Sequence, residues 1–413
     1  MAISKSSIKP VLSTRIPTKS RNTPEVEKLV SEALALAASG SKVEDNFWEK
    51  KLFERLNRLL SNQNQAVLDA ALDQTFKSQT AAFEILADAI ETASESLVYE
   101  LDGKHYEVLL LAIPMIAQTR YAIPSGPIRT GLIAETVEYL KEFIFTKEIH
   151  LSIVPWLYSI DQIPQSHSQT RMLLEKMAKS AVEQADVVYQ LKEMPETIPV
   201  LADPRFILCA VAVEIGQPMF IWQAEEPLRL ERSLALKQWQ ESMHSVLSEL
   251  LPGCEFEILL PDAFFTNCRE ADKRVRPLSL TAAVNYLESS LGVTPPELSC
   301  VVAPFGHEIT DEFRVSFAIK GHPEIIYGVV WPLYDRETVS MDDIESSGDG
   351  NTTIELISDT LHLAGVGDVF KHAMLFTPEM CEDCGVPLFP NRSAEVVHAE
   401  MPEDTPAQQL LFH

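Results

Sequence analysis

The sequence predicts an α/β protein, with α+β as the open alternative, built from internally duplicated strand–helix units that form mixed sheets. Strand-like apolar runs alternate with amphipathic helical patterns between Ser96 and Leu291, which favours crossover connections. The second strand of each unit ends alike, in Ile153-Val-Pro-Trp-Leu-Tyr and in Ile258-Leu-Leu-Pro-Asp-Ala-Phe. Of the 413 residues, 46% are apolar and 23% are charged, which predicts a globular protein of two or three structural units.

The first 95 residues divide into a basic arm and a helical region. Residues 1–22 contain Lys and Arg but no acidic residue, and their Ser- and Thr-rich composition predicts a disordered basic arm. Residues 23–95 form the predicted helical N-terminal region, in which Thr23-Pro24 supplies an N-cap and a first helical residue. Apolar side chains recur there at helical spacing, so we expect this region to serve packing rather than chemistry.

Residues 96–195 and 200–293 are predicted as the first and second α/β units. Asp102-Gly103 predicts a tight hairpin at the start of the first unit. The first unit is expected to contain strand Val108–Gln118, helix Gly131–Phe145, strand Ile149–Tyr158 and helix Ser168–Gln184. The second unit is expected to contain strand Phe206–Glu214, helix Arg232–Leu251, strand Glu255–Pro261 and helix Leu278–Leu291. Residues 298–376 then predict a β-rich region plus a helix, and residues 377–413 a cysteine knuckle with an acidic tail.

The composition limits the classes of partner. A formal net charge of −26 repels phosphate backbones and anionic lipids, so nucleic acid is an unlikely partner except through the basic arm, and no membrane partner is expected. The expected partner is an unknown protein or a second copy of this chain. Six cysteines in a chain of this length do not form a disulfide framework, and no apolar leader is visible, so we expect a cytoplasmic location.

The strongest local motif is Cys381-Glu-Asp-Cys384-Gly385. Two thiolates on a tight turn can reach one tetrahedral ion, and zinc is the candidate cofactor. His398 is the natural third ligand, and the fourth is left open between His413, His372 and a second subunit. A redox dithiol is the competing functional interpretation, and a pair of unligated thiols is the non-functional one.

The second candidate is a basic stretch from Asn267 to Arg276, which is expected to be a loop beyond the end of a strand. Ligands of open α/β sheets tend to bind at such ends, and guanidinium groups bind phosphate or carboxylate. The predicted anion-binding residues are Arg269, Lys273, Arg274 and Arg276. The alternative is a surface loop whose own acidic residues pair with these cations. Cys268 has no neighbouring histidine to activate it, although His307 or Glu308 could come from a neighbouring strand end.

Several longer strings are specific in combination. They are Phe47-Trp-Glu49, Tyr121-Ala-Ile-Pro-Ser-Gly-Pro127, Pro155-Trp-Leu-Tyr-Ser-Ile-Asp-Gln162, Pro252-Gly-Cys-Glu-Phe-Glu257, Asn267-Cys-Arg-Glu-Ala-Asp272, Val329-Val-Trp-Pro-Leu-Tyr334, Cys381-Glu-Asp-Cys-Gly385 and Val397-His-Ala-Glu-Met-Pro-Glu403. Over nearly its whole length the chain therefore resembles the bacterial domain-of-unknown-function family 2863. The resemblance implies a bacterial cytosolic protein without an established activity, so no functional residue carries over. The cysteine pair and His398 match the family's terminal pattern, which favours treating them as one constellation.

The leading hypothesis is a non-enzymatic binding or scaffold protein with a zinc-stabilised C-terminal tail. The alternative is an enzyme that acts on a phosphorylated or carboxylated small molecule at the Cys268–Arg276 loop. A third hypothesis is an RNA-associated factor that uses the basic arm. The sequence contains no phosphate-binding glycine loop and no His-Glu-x-x-His motif that would favour an enzyme of a known class.

Overall fold

The structure, a computed structural model, describes residues 24–185, 189, 194, 195, 197, 200–225, 228–307, 309–333 and 353–402. Helices and strands alternate along most of this length and form sheets with antiparallel and parallel pairs, so the α/β prediction is confirmed. The predicted arm at residues 1–22 lies outside the described residues. The chain divides into a body, residues 18–273, and a C-terminal unit, whose described residues begin at 274. The finer division predicted from the sequence stays a prediction.

The body begins with a bundle of helices. They are α1 (Pro24–Ala37), α2 (Lys42–Ser61), α3 (Gln65–Ser78) and α4 (Thr80–Glu95). Leu29, Leu52 and Ile90 are fully buried between them, as the helical spacing of apolar residues predicts. Arg55 of α2 also pairs with Glu32 of α1 at 2.6 Å between Nη2 and Oε1. This region therefore packs largely through apolar side chains.

An eight-stranded sheet forms the centre of the body. Its strands are β1 (Ser96–Leu101), β2 (Lys104–Gln118), β3 (Gly126–Pro127), β4 (His150–Ile153), β5 (Trp156–Ser159), β6 (Ala202–Glu214), β7 (Glu255–Ile258) and β8 (Asp262–Ala263). β1 and β2 form the hairpin predicted at Asp102-Gly103, and both turn residues have positive φ. β2 and β6 pair antiparallel along their length, from Tyr106 opposite Glu214 to Gln118 opposite Ala202.

The two predicted units interlock around this central pair. Helix α5 (Thr130–Phe143) connects β2 to β4, and helix α7 (Arg232–Leu250) connects β6 to β7. β4 and β5 pair with β6, whereas β7 and β8 pair with β2, and each of these pairs is antiparallel. Each helix therefore joins two parallel strands that are separated by one strand of the other unit, which is the split arrangement of ferredoxin-like sheets. Because the later strands of each unit pair with the long strand of the other unit, the two units take equivalent positions in the sheet. That the units are duplicates of each other stays a prediction.

Helices cover both faces of the sheet. α5 and α7 cover one face, where Leu140 and Trp239 pack against the odd-numbered side chains of β2 from Leu111 to Ala117. The indole N–H of Trp239 donates to the carbonyl of Leu259 at 3.0 Å. The even-numbered side chains of β2 point to the opposite face of the sheet. On that face, α4 and α6 (His167–Glu183) contact the sheet. The body core therefore lies on either side of β2 and β6.

The basic stretch is helical, so the prediction of a loop from Asn267 to Arg276 is wrong. Helix α8 runs from Phe264 to Leu291 and contains Pro277. Proline removes one backbone hydrogen bond and usually marks a helix boundary, which is why the sequence suggested a break. Good helix formers on both sides of Pro277 outweigh that single loss. The division between the body and the C-terminal unit falls within this helix, between Lys273 and Arg274.

The C-terminal unit is built on a second sheet. Its strands are β9 (Leu298–Phe305), β10 (Glu312–Ile319), β11 (Tyr327–Pro332) and β12 (Asp368–Lys371), in the order β11-β10-β9-β12. β12 pairs parallel with β9, and the other pairs are antiparallel. The second half of α8 and helix α9 (Thr353–Leu363) pack on one face, with Leu287 and Ile357 fully buried. Among the described residues, every helix is too short or too polar to span a lipid bilayer.

Candidate metal centre

A tight turn places Cys381 and Cys384 at the tip of a short hairpin in the C-terminal unit. The amide of Leu388 donates to the carbonyl of Glu379 at 3.0 Å, and the amide of Cys381 donates to the carbonyl of Val386 at 2.8 Å. Gly385 has φ of 75°, a conformation that residues with a side chain rarely adopt. The predicted left-handed turn after the second cysteine is therefore present.

His398 reaches the same place through a two-stranded ribbon. β13 (Phe389–Pro390) pairs antiparallel with β14 (Val396–Val397), and His398 directly follows β14. The ligand atoms of Cys381, Cys384 and His398 all lie within 4.8 Å of one another. Nε2 of His398 is 3.2 Å from Sγ of Cys384. Ligand atoms around one tetrahedral zinc ion are separated by roughly 3.3–3.8 Å, so this cluster could hold a metal ion with a small adjustment.

The other ring nitrogen of His398 faces a carboxylate. Nδ1 lies 3.1 Å from Oε1 of Glu400, which is ion-pair distance, although the two groups are not aligned as a hydrogen bond. Metal-binding histidines commonly direct their second nitrogen to a carboxylate, which orients the ring and fixes the tautomer. Glu400 therefore leaves Nε2 as the atom available for a metal. Glu400 had no role predicted from the sequence, although it lies in the string Val397–Glu403 that resembles the family.

The protein backbone also favours the thiolate form of Cys381. Backbone N–H groups of Cys384 and Asp383 donate to its sulfur and lower the pKa of the Cys381 thiol. The thiolate is the form that binds metal ions. Cys384 is exposed and Cys381 is partly exposed, so an ion can reach both sulfur atoms from solvent.

The sheet holds the base of the hairpin through one buried cation. The Arg314 side chain of β10 is 1% exposed, and its Nη1 donates to the carbonyls of Glu379 and Leu388, at 2.8 and 2.5 Å. Its Nε donates to Glu312 at 2.7 Å, and its guanidinium lies 4.3 Å from the centre of the Phe305 ring. Arg314 therefore fixes both ends of the segment that carries the two cysteines. The sequence offered one signal for it, because Arg314 stands between the apolar residues Phe313 and Val315 in a strand-like run.

Further contacts fasten the ribbon to the same face of the sheet. The ring of Phe389 lies against Gly328, where an added Cβ would come within 2.3 Å of the ring. Ser316 donates to the carbonyl of Pro390 at 2.6 Å. His372 is buried, with Nε2 2.8 Å from the carbonyl oxygen of Asn391, and it is not part of the ligand cluster. Of the open choices for a fourth ligand, His372 is thus used elsewhere, and His413 lies outside the described residues.

The predicted anion-binding residues do not gain support as a set. Nη1 of Arg269 pairs with Oε1 of Glu91 at 2.6 Å, and Lys273, Arg274 and Arg276 each have partners of their own. Arg276 is also buried. The anion site at these four residues therefore stays a prediction.

The structure gives the Cys268 thiol little activation, and the catalytic alternative at this stretch stays a prediction. Burial raises the pKa of the Cys268 thiol, so the thiol is not a ready nucleophile. His307 is exposed, and Glu308 lies outside the described residues. Nearby, burial raises the pKa of Glu95 to about 7, while its carboxylate accepts a hydrogen bond from the amide of Phe265 at 2.9 Å. Burial of Glu95 could not be predicted, because this residue stands at the end of an ordinary amphipathic helix.

The fold and this centre define an α/β protein with a Cys-Cys-His cluster that could hold a metal ion. The chain belongs to the family described as protein of unknown function (DUF2863), whose model matches residues 14–412. The resemblance stated from the sequence is thereby confirmed. Searches of the curated proteins and of the solved structures found no match to this chain.

Proposed function

We propose that this is a non-enzymatic binding or scaffold protein whose C-terminal tail is stabilised by zinc. The observation that carries the proposal is the convergence of Cys381, Cys384 and His398. His398 stands 14 residues after Cys384 in the sequence, yet the ligand atoms of all three residues lie within 4.8 Å of one another. The proposed location is the cytoplasm, since two thiols that serve as metal ligands must stay reduced. The proposed partner is another protein or a second copy of the chain.

Zinc fits this donor set better than the other common ions. Two sulfur ligands and one imidazole suit zinc, whereas magnesium and calcium prefer oxygen ligands. Two thiolates also neutralise the charge of a divalent ion. Zinc in such a site supplies a rigid cross-link and no redox chemistry.

The cross-link has a structural task, because the ribbon alone is weak. β13 and β14 have two residues each, which is too little for independent stability. Cys381 and Cys384 stand before β13 and His398 stands after β14, so an ion bound to all three ties the two ends of the ribbon together. Binding to the folded form alone would stabilise it by about 4 kcal/mol when free zinc exceeds its dissociation constant a thousandfold.

Elemental analysis of the purified full chain tests the proposal. We expect about one zinc per chain in the parent, and much less in Cys381→Ser, because one sulfur ligand is lost. Cys254→Ser is the matched control, since Cys254 is a partly buried free thiol of the body and should leave the zinc content unchanged. Metal-free parent protein prepared under reducing conditions that takes up no added zinc would refute the proposal. A disulfide between Cys381 and Cys384 in place of zinc would favour the redox alternative.

A further inference from the structure

The body contains a cavity at the start of edge strand β1, in a different part of the chain from the metal centre. Its volume is about 570 Å³, which is within the usual range for small-molecule sites. Its walls come from α2, the end of α4, β1, β2, α6 and the segment after β6. The exposed residues Val98 and Glu107 are part of its lining, so the cavity opens to solvent on their side.

A buried arginine with a fixed orientation lines this cavity. Arg171 is 9% exposed, and its Nη1 donates to the carbonyls of Ala93 and Ser96, at 2.8 and 3.0 Å. Its Nε donates to Glu175 at 2.9 Å. Within the described part of the chain, no residue accepts a hydrogen bond from Nη2. The guanidinium group therefore keeps only the N–H donors of Nη2 for a ligand, and it cannot turn away without losing its other bonds.

The remaining walls indicate which class of ligand fits. Phe53, Leu97, Leu109 and Met219 provide apolar surface, which suits an apolar ligand body. A guanidinium group with its orientation fixed by other bonds recognises a carboxylate well. Glu107 stands at the opening and repels ligands with several negative charges, which disfavours phosphorylated molecules.

We infer that this cavity is a binding site for a small monocarboxylate with an apolar body, whose carboxylate contacts Nη2 of Arg171. Sodium octanoate serves as the probe, and octanamide is its uncharged match. Isothermal titration of the full chain should show saturable binding of octanoate, at least roughly tenfold tighter than that of octanamide, because the amide oxygen accepts a hydrogen bond but carries no negative charge to pair with the guanidinium.

Val98→Trp is the decisive variant, because it narrows the cavity from an exposed strand position and leaves the bonds of Arg171 in place. It should weaken octanoate binding by roughly tenfold or more. Val43→Trp is the matched control, since Val43 is 82% exposed and does not line the cavity, and its binding should equal that of the parent. Arg171→Lys keeps a cation but loses the planar fork, so it should also bind more weakly.

Arg171 bonds to the last turn of α4, so the thermal stability of Arg171→Lys is measured alongside its binding. If that variant unfolds, Val98→Trp alone decides. The inference fails if the parent shows no saturable octanoate binding, if octanamide binds equally well, or if Val98→Trp binds octanoate as tightly as Val43→Trp.

Discussion

The eight-stranded sheet of the body and the β13–β14 ribbon beside the candidate metal centre are stabilised by different forces. The sheet has two long central strands and a continuous apolar core, in which Trp239 and Leu111 are fully buried. The ribbon has two strands of two residues and is attached through polar contacts of Arg314 and Ser316 and through one buried ring, that of Phe389. The sheet therefore depends mainly on buried apolar area, whereas the ribbon depends on a small apolar contact, a few directional bonds and, in our proposal, a metal ion.

The largest expected effect comes from the body core. Trp239→Ala should destabilise the body by about 3–5 kcal/mol, because it removes a buried indole and leaves a cavity. Denaturant unfolding followed by circular dichroism measures this loss. Leu234→Ala on the same helix is the control, because Leu234 is 45% exposed and its loss should change stability by less than about 0.5 kcal/mol. Equal effects of the two substitutions would contradict the claim that buried area holds the sheet together.

The second expected effect concerns Glu95, a buried carboxyl of the body. Its charged form lowers the stability of the fold at neutral pH. Burial raises the pKa of Glu95 to about 7 from an ordinary value of 4.5. The contribution of protonated Glu95 to the free energy of unfolding is fully present below about pH 4.5 and is lost as the pH rises through about 7. Glu95→Gln keeps an acceptor for the amide of Phe265 but carries no charge, so it should be more stable than the parent at pH 8, by up to about 3 kcal/mol.

Urea unfolding of the parent and Glu95→Gln between pH 4 and pH 8 checks this prediction. The advantage of the variant should appear only as the pH rises above about 4.5. Glu84→Gln on the same helix is the control, because Glu84 is exposed and its neutralisation should change stability by less than about 0.5 kcal/mol across this pH range. A constant difference between the parent and Glu95→Gln across this range would show that Glu95 is not buried in its charged form.

The smallest of these effects is expected in the ribbon. Arg314→Met should free the carbonyls of Glu379 and Leu388 and weaken the attachment by about 2 kcal/mol, which is roughly 30-fold faster local opening. Hydrogen exchange at the amides of Cys381 and Leu388 measures this opening. Lys371→Met is the control, because Lys371 of β12 pairs with Glu355 of α9 rather than with the hairpin. If the core amides of β2 lose protection equally, the ribbon does not open separately from the rest.

Local patterns in the sequence predicted much of the fold. Asp102-Gly103 and the apolar run after it specify the β1–β2 hairpin, because turn chemistry and strand period act between near neighbours. These local patterns do not predict that β4 pairs with β6 instead of β2, because the choice of a strand's partner depends on contacts between segments that are distant in the sequence. The helix through Pro277 was not predicted, because proline usually ends a helix. Here the helix propensity of the residues on both sides outweighs the hydrogen bond that Pro277 removes.

The candidate site divides in the same way. Cys381, Cys384 and His398 could be predicted, because residue type and spacing carry the chemistry of a metal site. Arg314 and Arg171 could not be assigned roles, because an arginine in a strand or helix gives no sign of which distant carbonyls it will meet. The anion site failed to gain support for a related reason, since the sequence did not show that Arg269 would pair with Glu91.

Zinc X-ray absorption spectroscopy on the purified full chain identifies the atoms bound to the metal ion. We expect two sulfur ligands at about 2.3 Å and at least one nitrogen ligand at about 2.0–2.1 Å. Cys384→Ser should lose one of the sulfur scatterers. A metal shell made only of oxygen and nitrogen, or one whose sulfur count is unchanged in Cys384→Ser, would contradict the assignment of the ligands.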